Sequence, residues 1–173
     1  AVAEKFFGFS PRGEVLVEDG RTYLARKPRR YGIVVLDAFG SESPPSHLFT
    51  REAFETMKNS LTPGGLLAVN IVTLIEPPGN EAWIATYKTL SAVFPHVRAF
   101  AGSDQQKNLG NVLLFASEEP IEDNGASLKA RPFIRKDLIL KLSRELRPGF
   151  EALENAPLMT DDYAPMEYLL AKT

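Results

Sequence analysis

Cysteine is absent from the 173 residues, which excludes disulfides, thiol nucleophiles and cysteine metal sites together. Histidine is nearly absent. His47 and His96 are the two, no close-spaced His/Asp/Glu set accompanies them, and a metal site is therefore not expected. No run approaches the roughly 18 apolar residues that cross a bilayer, and no signal-peptide pattern opens the chain, so a cytoplasmic protein without membrane contact is the expectation. Charge of one sign is also scarce. With 20 basic and 22 acidic residues the net charge is −2, which argues against nucleic-acid binding through bulk electrostatics. The longest basic cluster, Arg21, Arg26, Lys27, Arg29 and Arg30, reads as solvated charge around a helix end. Repeats, low-complexity tracts and an internal domain boundary are lacking too.

What is present is a core-forming composition: 44% hydrophobic and 24% charged residues, enough for one globular domain. Residues 1–117 read as the core sheet and helices, and residues 118–173 as a C-terminal helix and tail. Ala1 to Phe7 reads as the end of a helix, stopped by Gly8 and the Ser10-Pro11-Arg12-Gly13 turn. Glu14 to Glu18 reads as a short β-branched strand, and Arg21 to Arg26 as a short helix. Tyr31 to Leu36 is a continuous apolar run, as in a strand covered on both faces. A Ser/Pro loop over Ser41 to Ser46 precedes Thr50, an N-cap for a helix over Arg51 to Ser60 with Ala53, Phe54, Met57 and Leu61 on one face.

Pro63-Gly64-Gly65 then launches a strand over Leu66 to Val72. A helix over Glu81 to Phe94 carries the stripe Trp83, Tyr87, Leu90 and Phe94. Strands follow at His96 to Ala101 and Asn111 to Ala116, a hairpin-like pair, and an amphipathic helix at Lys136 to Leu146 ends at Pro148-Gly149. Strands alternating with helices predict an α/β fold, a mostly parallel twisted sheet with helices on both faces.

Two carboxylates stand at strand ends, Asp19 and Asp37, and the rim outside the carboxyl ends of such strands is where open α/β sheets bind ligands. They suggest a site for a cationic or hydroxyl-rich small molecule. Asp37 can take a proton from an ammonium nucleophile, or cap the turn that follows it. Asp19-Gly20 permits a tight turn, close approach of a planar ring and a hydrogen bond from an exocyclic amine; as a dipeptide it is also the commonest of turns. Asp161 and Asp162 suit a cationic amine or a solvated cap. His47 is a candidate base or a loop residue, and His96, behind Pro95, reads as structural.

Several segments carry a resemblance. Asp19-Gly20, the strand-end Asp37 and Pro63-Gly64-Gly65 resemble the second half of the spermidine synthase family, built on the class I S-adenosylmethionine-dependent methyltransferase fold. Ala3 to Phe9 is similar to that family's segment after its ribose-binding acid, and Leu48 to Phe54 to its helix after the catalytic loop. Thr160-Asp161-Asp162-Tyr163-Ala164-Pro165-Met166-Glu167 resembles the ending of a divergent branch. The likeness runs over about Ala1 to Ser117. It implies aminopropyl transfer from decarboxylated S-adenosylmethionine to an amine, with methylthioadenosine released and no tightly bound cofactor. Asp37 is then the catalytic residue, with Asp19, Gly20, Asp37, Ala38 and Pro44 on the nucleoside side and a homodimer as the assembly. A methyltransferase using S-adenosylmethionine and a non-catalytic binding remnant are the alternatives.

The chain departs from the family in three places. The glycine-rich turn and ribose-binding acid would precede Ala1, so the fold is expected to be N-terminally truncated. The family's second acid, three residues after Asp37, is replaced by Gly40, with Glu42 as a substitute and Asp161 and Asp162 as further amine-binding candidates. Ser103 to Asn108 stands in place of a Tyr/Pro/Gly-rich loop. On this reading two strands are missing between those at Val15 and Val34, so the Val15 strand must pair with its neighbour or a second copy must cover the gap.

Overall fold

The computed structural model describes residues 2–26, 30–40, 43–102, 109–122 and 145–171. Its sheet runs in the order β1 (Tyr31–Leu36), β2 (Leu61–Leu74), β4 (Leu109–Ser117), β3 (His96–Ala101) and β5 (Glu145–Leu146). The helices are α1 (Val2–Phe7), α2 (Gly20–Arg26), α3 (Arg51–Asn59), α4 (Glu81–Ser91), α5 (Phe150–Asn155) and α6 (Met166–Leu170). The expected α/β class is what forms, but the sheet is mixed. Only β1 and β2 are parallel; β2–β4, β3–β4 and β3–β5 are antiparallel. The reason is local. β3 ends at Ala101 and β4 begins at Leu109, an interval shorter than the dozen or so residues a parallel crossover needs, so the two strands pair antiparallel.

Pairing sets which side chains enter the core. Leu36, Val69, Leu114 and Ala99 align across four strands, as do Val34, Leu67, Ala116 and Val97. These rows face Ala53, Phe54 and Met57 of α3, Trp83, Ile84 and Leu90 of α4, and Met166 and Leu169 of α6, forming one core. Helices were expected on both faces. Among the described residues they cover one, and on the other Ile33 and Val35 of β1 are about two-thirds exposed. Period-2 alternation within β1 decides this, even though its sequence is a continuous apolar run.

Three further expectations are corrected. Glu14 to Glu18 forms no strand: Val15, Leu16 and Val17 lie exposed and pair with no strand among the described residues. It therefore does not fill the outer edge of β1. Pro63-Gly64-Gly65 does not precede β2 but lies inside it, as a bulge between the pairs Tyr31–Leu61 and Ile33–Leu66. Gly64 has φ 68°, where a Cβ is strained, and a Cβ on Gly65 would stand 2.8 Å from the Thr62 carbonyl oxygen. The helix expected over Lys136 to Leu146 is strand at Glu145 and Leu146, which pair with β3 through the Arg98–Glu145 ion pair (2.9 Å) and Ala99–Leu146. Arg98 also holds the Glu145 carboxyl below its usual range. Residues 136–144 lie outside the described residues.

Candidate active site

The carboxyl ends of β1 and β2 sit side by side because the two strands are parallel. Asp37 emerges at the end of β1, exposed, and Asn70 of β2 donates from Nδ2 to its Oδ1 at 2.9 Å. The Asn70 Oδ1 is buried, with no hydrogen-bond partner among the described residues. Asp37 is thus held as an acceptor from one side, with its second oxygen facing outward for a proton or an ammonium group. Ala38, next along, turns inward and packs against the core.

Two residues beyond Asp37 begins a cleft of ≈ 930 Å³, walled by Phe39, Gly40, Pro44 and Pro45 from the loop, Val72 and Leu109 from the sheet, and Glu167 and Leu170 from α6. The loop is pinned where Gly40 N–H donates to the Ser43 carbonyl at 2.8 Å. A Cβ at position 40 would lie 2.6 Å from that same oxygen, so the loop in this shape accepts only glycine there. No acid can occupy position 40 without rebuilding it. Glu42 lies outside the described residues, as do Ser103 to Asn108.

Asp19 is placed elsewhere. Its backbone carbonyl accepts from Tyr23 N–H and its Oδ1 from Thr22 N–H at 2.8 Å, so it starts α2. Its Oδ2 meets His47 Nε2 at 2.8 Å. The hydrogen bond from His47, then those from Thr22, lower the Asp19 pKa from 3.8 to about 2. Two of about four acceptor positions on a carboxylate remain for a ligand. Gly20, next to Asp19, lines a second hollow with Glu14, Leu16, Glu18, Tyr23 and Tyr31.

Asp161 also has partners within the chain. Arg21 grips both its oxygens at 2.7 Å, and the Thr50 hydroxyl donates to Oδ1 at 2.7 Å while accepting from Ala53 N–H as the N-cap of α3. The Arg21 contact, helped by Thr50, lowers the Asp161 pKa to about 2 and raises that of Arg21. Arg21 further donates to the His47 carbonyl at 3.2 Å, so Asp19, His47, Arg21, Asp161 and Thr50 form one network joining α2, the loop, α3 and the tail. Asp162 is exposed on the adjoining turn. Neither acid lines the ≈ 930 Å³ cleft. His96 starts β3 opposite Ser117, as the structural reading expects.

Sequence reasoning missed Asn70 and the position of Glu167. The signal for Asn70 was a lone amide inside the apolar run Leu66 to Ile71. For Glu167 there was none beyond the tail pattern, since the fold of α6 over Met166 and Leu169 decides which way it faces.

No protein-family model matches the chain. It is similar to the polyamine aminopropyltransferase of Vibrio vulnificus, 27% identical over 180 residues, which cover 97% of this chain and 57% of that protein. Among solved structures it is similar to the spermidine synthase of Thermotoga maritima, with TM-score 0.63 and 20% identity over 88% of this chain and 56% of the other. It is also similar to human methyltransferase-like protein 13 in complex with SAH, with TM-score 0.55 and 21% identity over 98% and 72%. The fold is therefore spermidine-synthase-like, of the class I methyltransferase type, and the chain spans about half the length of the curated relative.

Proposed function

We propose that this chain carries the amine side of an aminopropyl-transfer site. The reaction is attack by an amine nitrogen on the aminopropyl carbon of decarboxylated S-adenosylmethionine. A C–N bond forms, the C–S bond breaks with its electron pair left on sulfur, and methylthioadenosine departs. Asp37 takes the proton that the amine must lose. Asn70 holds the carboxylate still, and the sulfonium is a sufficient leaving group without further activation.

The observation that carries this reading is Asp37, fixed by Asn70 two residues before the first wall of a cleft whose described lining includes no Lys or Arg. The acceptor amine and the decarboxylated donor are both cationic, and a rim whose described charge is the one carboxylate of Glu167 favours them. Intact S-adenosylmethionine carries a carboxylate that this rim would repel. The likeness to an aminopropyltransferase supports the same choice. Asp19, Gly20, Ala38 and Pro44 are assigned to the nucleoside, with Asp19 accepting from the adenine amine through its remaining lone pairs. Self-association as a homodimer is part of the proposal, supported by the outer edge of β1, unpaired among the described residues, and its exposed Ile33 and Val35. A monomer by light scattering at working concentration would remove it.

The test is methylthioadenosine release from decarboxylated S-adenosylmethionine across a panel of amines. Release that depends on amine supports the assignment. Methyl transfer from intact S-adenosylmethionine, with no methylthioadenosine from the decarboxylated donor, would replace it with the methyltransferase reading.

A further inference from the structure

The residues of α6 divide between two hollows. Glu167 and Leu170 line the ≈ 930 Å³ cleft, whereas Tyr168 and Leu169 line a separate one of ≈ 340 Å³, with Glu81 and Ile84 of α4, Asn155 of α5 and Tyr163 of the turn before α6. Its shape is built from both ends. Lys88, two turns beyond Glu81 on the same face of α4, donates to the carbonyls of Glu154 at 2.8 Å and Ala156 at 2.6 Å, which fastens the end of α5 and occupies the ammonium. Tyr163 is held by paired backbone bonds with Thr160, at 2.9 and 3.0 Å. Both tyrosines remain largely exposed, 60% and 64%. The single acid of the described lining is Glu81, and no Lys, Arg or His accompanies it. Its Oε2 is buried, with no hydrogen-bond partner among the described residues. The α4 dipole accounts for an acid in the first helical turn, but not for an oxygen turned away from water, since a glutamate serving the dipole alone can stay solvated.

We propose that this hollow binds a small organic monocation with an apolar or aromatic body, its charged N–H group donating to Glu81 Oε2 and its body lying against Tyr163 and Tyr168. A charge-assisted hydrogen bond replaces the water that the buried oxygen has lost. Tyrosine ring faces attract cations and also offer apolar area. One carboxylate, with no second acid in the described lining, suits one positive charge and not two. A volume of ≈ 340 Å³ lies at the small end of the range for ligand pockets, about 300–1,000 Å³, and admits a body of about one ring. The site shares no lining residue with the cleft, so the assignment stands apart from the aminopropyl-transfer reading.

The experiment is calorimetric titration of the full chain with benzamidinium and, separately, with benzamide, which has the same shape and no charge. The unaltered chain is expected to bind benzamidinium about tenfold more tightly than benzamide, the preference of one charge-assisted contact. Glu81→Gln should remove that preference. Tyr168→Ala should weaken benzamidinium binding, and Glu167→Gln, which alters the cleft alone, should leave the preference in place. Failure of the unaltered chain to bind benzamidinium, equal affinity for the two probes, or a preference that survives Glu81→Gln overturns the assignment. A preference lost in Glu167→Gln also overturns it, because the cation then sits in the cleft. If circular dichroism shows Glu81→Gln to be unfolded, Tyr168→Ala decides, and an undiminished affinity for benzamidinium in that variant overturns the site.

Discussion

Arg21 and Asp161, 140 residues apart in sequence, face each other in a two-pronged ion pair with both contacts at 2.7 Å. The pair ties the first residues of α2 to the turn before α6. It also reassigns an acid that by composition alone resembles an amine-binding group. A carboxylate gripped by a guanidinium on both oxygens has little attraction left for a second cation. The tail therefore contributes charge to the cleft through Glu167 and rigidity through Asp161.

The first prediction concerns Asp37. Asp37→Asn keeps the shape but cannot accept the amine proton, so turnover should fall by roughly 10²–10⁴-fold, the usual worth of a general base. Tm should barely move, because the side chain is exposed. Normal methylthioadenosine release by this variant removes Asp37 from the mechanism.

Asn70 is a positioning residue, and its replacement should separate geometry from binding. Asn70→Ala frees the Asp37 carboxylate to rotate, so kcat should drop about tenfold, in keeping with loss of one hydrogen bond to a charged group, while KM for the amine holds. Asn70→Asp should be worse, since it sets a second carboxylate about 3 Å from the first. A KM effect with kcat intact would place Asn70 in substrate binding instead.

Acid should loosen the network around α2. The folded pKa values of Asp19 and Asp161 are depressed from 3.8 to about 2. Their contribution to stability is therefore complete above about pH 4 and is lost as the pH falls toward 2. Both side chains are more than a third exposed, so solvent screening limits each to at most about 1 kcal/mol. Urea melts at pH 5, 3 and 2 measure the decline. Asp161→Asn should start lower and fall less steeply, and parallel curves for the two proteins would contradict the assignment.

Thr50 serves two partners with one hydroxyl, capping α3 and donating to Asp161. It is buried. Thr50→Val keeps the volume and removes both bonds, so stability should fall by about 1–2 kcal/mol, the range for a lost helix cap. Double-mutant cycles with Asp161→Asn should show coupling, because the two residues share a bond. Strict additivity would show that the hydroxyl matters to the helix alone.

The α/β class and the helices α3 and α4 were legible because their apolar residues recur at helical spacing and their starts are marked in the sequence, by the Thr50 cap for α3 and the Pro77-Pro78-Gly79 loop before α4. Asp37 was legible as a strand-end acid. The antiparallel β3–β4 pair was legible as a hairpin, but the direction of β4 against β2 was not, since an apolar run such as β4 reads the same whichever way it pairs. Glu14 to Glu18 failed for the converse reason: its composition is strand-like, but a strand is defined by its pairing, and this segment leaves the outer edge of β1 unfilled. Asp161 and Glu167 could not be sorted from each other, because the difference lies in Arg21, far away in sequence, and in the packing of Met166 and Leu169.

The cleft draws its walls from positions 39 to 45, from 72 and 109, and from 167 to 171. During synthesis, which proceeds at about 5–20 residues per second, β1 and Asp37 leave the ribosome many seconds before α6 does. Throughout that interval Asp37 has a strand beneath it but no cleft beside it. A nascent chain can therefore hold the proposed base in place before the cleft beside it exists. Ligand added during synthesis should fail to stabilise any intermediate that stops short of α6, however much of the sheet has formed.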